Sequence, residues 1–242
     1  MKQLFPKWTN LIPTLTALGG FGALVLVVGG MTYYATPKFW EVGYQPEQPI
    51  AFSHQLHAGE LGIDCRYCHH NVELSEHSNV PSTSTCMNCH TVADQFSGYL
   101  AKAVTADGTT PSAHWQSEDL QTLRTYHSEG DAPPWRRVHK VPDYAHFNHS
   151  VHVAAGVSCY SCHGRIDQMK VVYQAESLSM GWCLECHRAP ENHLIDTTET
   201  PVTKLWAVED LLSGDDYATT IGLELKKRLT DTPPQHCGAC HY

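Results

Sequence analysis

The sequence predicts a mainly α-helical protein with much irregular structure and little β-strand, built from one N-terminal transmembrane helix and one domain outside the membrane. Three observations predict this class. A stretch without charged residues runs from Trp8 to Pro37, long enough for a membrane-spanning helix. Five short cysteine motifs, rather than long periodic apolar runs, mark the remaining chain. Proline-rich and polar segments separate several of them, so short helical turns joined by loops are expected.

The composition argues against one large class of function and points to an unusual interior. The chain of 242 residues carries a formal net charge of −9 and has a pI near 6.0, which argues against binding to nucleic acid. Its hydrophobic content of 42% is ordinary, but it contains 10 cysteines and 17 histidines. These two residue types are therefore expected to carry the chemistry of the protein.

All ten cysteines belong to five copies of the motif C-x-x-C-H. The copies are Cys65 and Cys68 with His69, Cys86 and Cys89 with His90, Cys159 and Cys162 with His163, Cys183 and Cys186 with His187, and Cys237 and Cys240 with His241. This is the attachment motif of c-type haem, in which two thiols bond to one porphyrin and the next imidazole ligates its iron. The sequence therefore predicts five covalently bound haem c groups, with the motif histidines as proximal ligands.

Zinc sites and disulfides also use paired cysteines. Thiolates of C-x-x-C can hold zinc, and an exported protein can form disulfides. Neither explains why histidine follows the second cysteine in every copy, so haem is the favoured interpretation. Because a flat porphyrin buried in each motif replaces many aliphatic side chains, we expect a haem-packed domain with little strand.

The uncharged stretch is interpreted as a retained membrane anchor. Leu11 to Tyr34 comprises 24 residues, which at ~1.5 Å per residue can cross a hydrocarbon core of ~30 Å. A cleaved signal sequence is the alternative, but its apolar segment would be shorter. Lys2 and Lys7 hold the N-terminus in the cytoplasm. The haem domain is therefore expected on the periplasmic face of a bacterial inner membrane, attached by a single pass.

A repeated element divides the part of the chain outside the membrane. The pattern F-x-H-x-x-H occurs from Phe52 to His57 before the first motif and from Phe147 to His152 before the third. In both copies a second haem motif follows, which indicates two related dihaem modules. The predicted organisation is a cytoplasmic stub (1–10), a transmembrane anchor (11–35), a stalk (36–50), a first dihaem module (51–93), a connecting segment (94–144), a second dihaem module (145–190) and a C-terminal segment with the fifth haem (191–242).

Two helical segments outside the haem motifs are also predicted. Ser117 is followed by an acidic first turn and by leucines at i,i+3 spacing, which is typical of a capped helix start. Pro133 and Pro134 are expected to end that helix. Residues 204–229 mix apolar and charged residues in a helical pattern that Gly214 interrupts, so one or two helices should precede the last haem.

Each six-coordinate haem iron needs a second, distal ligand. The strongest candidates are the two histidine pairs of the repeated element, because i,i+3 spacing places both rings of a pair on one face of a helical turn. These pairs are His54 with His57 and His149 with His152. His139 is the favoured ligand of the fifth haem. Its competitors are His70, His146, His193, His236, Met169 and Met180, of which a methionine would raise the potential of its haem.

Four features of this sequence resemble one protein family. They are the anchor, the segment QPEQPIAFSHQLHAGELGIDCRYCHHNVE around the first motif, the segment PWRRVHKVPDYAHFNHSVHV and the segment LSMGWCLECHRAP. On these residues the chain resembles the pentahaem cytochrome subunit of alternative complex III, a bacterial quinol:electron-acceptor oxidoreductase. The resemblance extends from the membrane helix through Pro190, and the last motif lies at the C-terminal place that the family shows.

The resemblance implies an electron relay without a catalytic site of its own. In that family, quinol is oxidised in polytopic membrane subunits and an iron-sulfur subunit passes the electrons on. The haems then deliver them to a monohaem cytochrome c or a terminal oxidase. These proteins are the implied partners of this chain, and no nucleic acid is among them.

The F-x-H-x-x-H element is similar to that of class III cytochromes, and the similarity implies a set of distal ligands. Carried over to this sequence, His54 serves the haem of His69 and His57 that of His90. By the same similarity, His149 serves the haem of His163 and His152 that of His187. His70 and His77 lie where the family has no ligands.

Two other functions compete with an electron relay inside a complex. A multihaem reductase, for example of nitrite, needs an open axial position on iron, whereas all five motifs here are unmodified and spare histidines are plentiful. A stand-alone, membrane-anchored quinol dehydrogenase also begins with one helix. Such proteins tend to carry methionine two residues after the first motif histidine, where this chain has Asn71.

Overall fold

The computed structural model describes residues 5–36, 41–91 and 117–241. The chain forms two compact units, residues 1–42 and residues 43–242. Residues 37–40 of the predicted stalk and 92–116, which include the end of the first predicted dihaem module and half of the connecting segment, lie outside the described residues.

The first unit is one long apolar helix. A 3₁₀ turn, Lys7–Leu11, leads into α1, Ile12–Tyr34. Proline stands in its first turn, where no backbone N–H is needed. The hydroxyls of Thr16 and Thr32 each donate to the carbonyl four residues earlier, at 2.8 Å, so the helix satisfies its own polar groups. By length and composition the helix can cross a membrane, a property that signal sequences share.

The second unit consists of short helices joined by irregular segments. Its described α-helices are α2 (Cys65–Cys68), α3 (Thr83–His90), α4 (Glu118–Glu129), α5 (His149–Ala154), α6 (Tyr160–His163), α7 (Met180–Arg188), α8 (Leu205–Leu212), α9 (Leu223–Arg228) and α10 (Cys237–Cys240). Four tighter or wider turns add to these: Gln55–Glu60 and Ala218–Gly222 are π-helical, and Ile166–Gln168 and Pro190–Asn192 are 3₁₀.

The described residues contain no β-strand. Two isolated antiparallel bridges connect Ala145 to His241 and Val157 to Leu194. The prediction of a mainly helical protein with much irregular structure and little strand is therefore confirmed.

Helix α4 begins where the sequence predicts and ends earlier than predicted. The Ser117 hydroxyl accepts a hydrogen bond from the backbone N–H of Leu120 at 3.4 Å, a cap worth about 1 kcal/mol. The expectation that the prolines end the helix is wrong. Gly130 ends it with a positive φ of 73°, a conformation that glycine adopts without steric cost, so the chain has already turned before Pro133.

The C-terminal segment forms two α-helices where one or two were predicted. Helix α8 stops at Leu212, just before Gly214, and a π turn leads into α9. The Tyr217 hydroxyl between them donates to the Leu194 carbonyl at 3.1 Å and fixes these helices against the chain that directly follows the second module.

The apolar core of the second unit is divided into two small clusters. One consists of Ile50, Met87, Leu120 and Leu123, and the other of Ile195, Val202 and Val208. A unit of this length usually buries a larger continuous core. The residues around the C-x-x-C-H motifs, where haem is expected, supply no third aliphatic cluster in the described ranges.

Candidate haem-binding site

Each C-x-x-C-H motif lies on or beside a single helical turn. In α2 and α10 the helix spans the two cysteines, and in α3 and α7 the motif occupies the C-terminal turn. Residues three apart on a turn point to the same side, which directs both thiols towards one porphyrin edge. Asp64 caps α2 by accepting from the backbone N–H of Arg66 at 2.9 Å, and Ser179 caps α7 by accepting from that of Trp182 at 3.3 Å.

The two alternatives to haem gain no support from the arrangement of the cysteines. All ten are free thiols in the structure. Among the described residues, no three His, Cys, Asp or Glu side chains converge as a metal-binding group. Paired thiols with one neighbouring histidine are the donor set that c-type haem uses.

Two predicted distal histidines face two motif histidines at matching separations. The ring centres of His57 and His90 lie 6.1 Å apart, and those of His152 and His187 also lie 6.1 Å apart. Two imidazoles that bind one metal through bonds of ~2 Å have ring centres about 6 Å apart. The residues present therefore fit a haem iron between the members of each pair.

The phenylalanine of the repeated element positions both histidines that follow it. Phe52 stacks on His57 with ring centres 4.4 Å apart and meets His54 edge-on at 4.9 Å. Phe147 makes the same two contacts in the second module, at 4.7 Å to each of its histidines. The sequence pattern identified the repeat but did not predict a role for the phenylalanine. Its recurrence at one position before both histidine pairs could have predicted that it contacts them.

Hydrogen bonds fix the tautomer of five histidines. In each, Nδ1 lies 2.7–2.8 Å from a backbone carbonyl oxygen: His57 with Ser53, His69 with Asn79, His149 with Glu76, His152 with Asn148, and His187 with Pro234. A carbonyl oxygen only accepts, so Nδ1 carries the proton and Nε2 keeps its lone pair. This is the arrangement that orients metal-binding imidazoles in proteins.

Five histidines form a central cluster between the first and third motifs: His54, His69, His139, His149 and His163. Burial lowers the pKa of His54 to about 4 and that of His163 to about 3, and repulsion between cluster members adds to both shifts. Burial alone lowers the pKa of His139 to about 4. His54, His139 and His163 are therefore neutral at pH 7, as iron ligands must be.

Buried ring nitrogens in the cluster make no hydrogen bond within the described residues. They are Nδ1 of His54, Nδ1 of His163 and Nε2 of His139. An unsatisfied buried polar atom is costly unless something else occupies the site. A bound haem and the groups around it would thus supply partners for these ring nitrogens.

His139 lies with the third motif. Its ring centre is 4.3 Å from that of His163, edge to face. The fifth motif is bordered by another segment, in which Tyr144 places its ring 5.7 Å from His241 and the backbone N–H of His146 donates to Cys240 at 2.8 Å. The sequence assigned His139 to the fifth haem, and the structure brings it beside a different motif.

The other candidate ligands occupy varied positions. Met169 is a packing residue with 4% exposure, whereas Met180 is 62% exposed at the start of α7. His70 has Nδ1 3.5 Å from the Asn79 amide nitrogen, and His236 is the N-cap of α10. Burial lowers the pKa of His193.

Comparisons with known proteins agree with this geometry. A family model described as the class III cytochrome C family matches residues 34–132, which include the first repeated element and the first two motifs. The protein named "Menaquinone reductase, multiheme cytochrome c subunit" from Nitratidesulfovibrio vulgaris (strain Hildenborough) is 28% identical over 193 residues, which cover 72% of this chain and 80% of that protein. This chain is therefore similar to a multihaem cytochrome c over most of its length and to class III cytochromes over residues 34–132, and its five C-x-x-C-H motifs have the residues that covalently bound haem c requires.

Proposed function

We propose that this chain is the electron-relay subunit of a membrane-bound quinone oxidoreductase and that it binds five haem c groups. The observation that carries the proposal is the equal separation of 6.1 Å in the His57–His90 and His152–His187 pairs. Both modules present two imidazoles at the spacing of a six-coordinate iron. Such an iron exchanges electrons and leaves no position for a substrate.

The residues of the chain divide the work of holding the haems. The ten motif cysteines would form thioethers with the haems, and the five motif histidines would each supply one ligand to an iron. A bound haem supplies one-electron redox chemistry, and the protein sets its potential through ligands, hydrogen bonds and burial. His57 and His152 would supply the second ligand of two of the irons. Carbonyl acceptors on Nδ1 strengthen the imidazoles as donors and hold their rings in place.

Three imidazoles of the central cluster compete for two irons. The haems of His69 and His163 need one distal ligand each, and His54, His139 and His149 all lie nearby. By resemblance, His54 serves the first and His149 the second. His139 is the rival of His54, because its ring centre lies 4.3 Å from that of His163, closer than the about 6 Å that two imidazoles on one iron require. For the fifth haem, His146 is the candidate whose backbone is hydrogen-bonded to that motif.

The proposed partners are those of the family that the sequence resembles. They are an iron-sulfur subunit, polytopic quinol-binding subunits and a monohaem cytochrome c, as in alternative complex III. Helix α1 would hold the chain in the inner membrane, with the haem unit on the periplasmic face. The uncharged span of α1 and the two lysines that precede it support this orientation.

Extraction in mild detergent tests the proposed assembly. The tagged chain should purify with an iron-sulfur protein and at least one polytopic membrane protein, and the complex should oxidise quinol while the chain alone should not. A lone cytochrome that oxidises quinol would favour the stand-alone dehydrogenase. A haem that binds substrate as a five-coordinate, high-spin centre would favour the reductase.

The named relative favours a second candidate, in which electrons run towards the quinone. The relative is a menaquinone reductase subunit that shares most of its length with this chain. The direction can be measured on the purified complex with two assays, quinol against an oxidised cytochrome acceptor and a reduced cytochrome against menaquinone. Faster turnover in the second assay would identify a quinone reductase.

A further inference from the structure

The first two haem motifs are joined directly. Tyr67 lies between the cysteines of the first motif and Asn88 between those of the second. The Asn88 amide donates to the Tyr67 hydroxyl at 3.0 Å. His57, which is hydrogen-bonded through its carbonyl to Ile63 just before the first motif, faces His90 of the second. The haems of these two motifs must therefore be neighbours.

The first motif also joins the third, although the second lies between them in sequence. The side chains of Cys65 and Cys159 lie close enough for each to affect the ionisation of the other. A second connection runs through the chain at Val202, whose carbonyl accepts from the backbone N–H of Cys159 at 3.3 Å. The next residue, Thr203, donates its hydroxyl to Asp64 at 2.7 Å. Each of these thiols becomes a thioether at the edge of its porphyrin, so the two porphyrin edges come together here.

The third and fourth motifs share the second module. His152 stands in α5, shortly before the third motif, and faces His187 of the fourth. The segment between α5 and the third motif bonds to the residues after the fourth, because Ile195 donates to the Gly156 carbonyl at 2.9 Å. Gly156 is required there, since a Cβ at this position would lie 2.8 Å from the Ile195 carbonyl oxygen.

The fourth and fifth motifs are joined by the segment that precedes Cys237. Nδ1 of His187 donates to the Pro234 carbonyl at 2.7 Å, and the Gln235 amide donates to the His187 carbonyl at 3.5 Å. The thiols of Cys183 and Cys240 are close enough for their charges to interact. These contacts make the fifth haem the neighbour of the fourth.

From these four junctions we propose that the haems form one row in the order second, first, third, fourth, fifth, so that electrons enter and leave at the haems of His90 and His241. The exposure of the cysteines agrees with this order, because Cys89 and Cys237, in the two terminal motifs, are the exposed members of the ten. Since tunnelling slows exponentially with distance, the order of contact is the order of transfer. The proposal rests on the proposed haem binding and adds the path.

The positions of the irons test the order directly. Anomalous scattering from crystals of the full-length haem-loaded chain should show that the four shortest iron–iron distances join His90 to His69, His69 to His163, His163 to His187, and His187 to His241. The order would be overturned if the iron bound by His90 lay closer to the iron bound by His163 than the iron bound by His69 does. Fewer than five irons would instead overturn the proposed haem content.

A kinetic experiment compares two matched variants. A photoactive ruthenium complex attached through Tyr144→Cys, at an exposed position beside His241, injects one electron per flash at the fifth haem, and a sacrificial amine donor re-reduces the complex between flashes. Removal of the first haem by C65A/C68A should separate the second haem from the other three, so that three of the four remaining haems are reduced in the fast phase. Removal of the second haem by C86A/C89A should leave all four in the fast phase. The reverse pattern would establish the order of the sequence and overturn the proposal.

Discussion

The imidazoles of His57 and His90 face each other with ring centres 6.1 Å apart, although one belongs to the π turn Gln55–Glu60 and the other ends α3. The stacked ring of Phe52 and the Ser53 carbonyl hold His57 in this orientation. The same relationship recurs between His152 and His187. Two modules of different sequence thus build one geometry for an iron.

Replacing His57 by methionine should raise the potential of one haem and leave four unchanged. A thioether favours the reduced iron more than an imidazole does, and axial ligands move haem potentials over a range of ~0.8 V. A spectroelectrochemical titration would measure the shift. H77M provides the control, because His77 is exposed and should leave all five potentials in place. An unshifted titration in H57M would show that His57 is not a ligand.

Replacing His139 by alanine should convert one haem to a high-spin, five-coordinate state, seen by electron paramagnetic resonance. Because His139 lies in the central cluster and not beside the fifth motif, we expect this signal to persist when the fifth haem is also removed, in H139A/C237A/C240A. Disappearance of the signal in the triple variant would restore the sequence-based assignment of His139 to the fifth haem. The matched variant H146A should open the fifth haem instead.

Replacing Arg165 by methionine should destabilise the second module. Its guanidinium binds Asp167 at 2.9 Å and Glu209 of α8 at 2.6 Å, in a partly buried site beside the third motif. Loss of these pairs should lower the free energy of unfolding by about 1–2 kcal/mol in a guanidinium titration. The control K227M removes the exposed pair with Glu224 and should change it by less than about 0.5 kcal/mol. Equal effects would contradict a structural role for Arg165.

Replacing Asp64 by asparagine should remove a pH-dependent contribution to stability. Hydrogen bonds from Arg66, ahead of that from Thr203, lower the pKa of Asp64 to about 2 from its ordinary value near 3.8. A carboxylate with a lowered pKa stabilises the folded state fully above pH 3.8, and this contribution is lost as the pH falls through about 2. Wild type and D64N should therefore differ by about 1 kcal/mol at pH 7 and converge towards pH 2 in unfolding titrations. A constant difference would contradict this origin.

The intact mass of the purified chain should include both α1 and five haems. A retained anchor keeps Lys2 and Lys7, and five attachments follow from ten thiols in five motifs. Mass spectrometry of the detergent-extracted protein measures both quantities at once. A chain that starts after Tyr34 would identify α1 as a cleaved signal, and a smaller number of haem additions would show that at least one motif is unused.

The covalent chemistry of this protein is predicted by local sequence patterns. A C-x-x-C-H motif is local, since both thiols and the imidazole lie on one helical turn, so its spacing alone predicts the proximal ligands. The same holds for α1 and for the start of α4, whose cap and leucines are close in sequence. The end of α4 was misjudged because Gly130 allows the chain to turn before the prolines.

Contacts between side chains from distant segments depend on the tertiary structure and could not be predicted from the sequence. Spacing predicted that His57 and His152 lie on helical turns, but their separation from His90 and His187 depends on how the modules pack. The tertiary structure places His139 beside His163 and brings Cys65 close to Cys159, past the intervening motif. Such contacts arise from hydrogen bonds and packing between segments that no local pattern encodes.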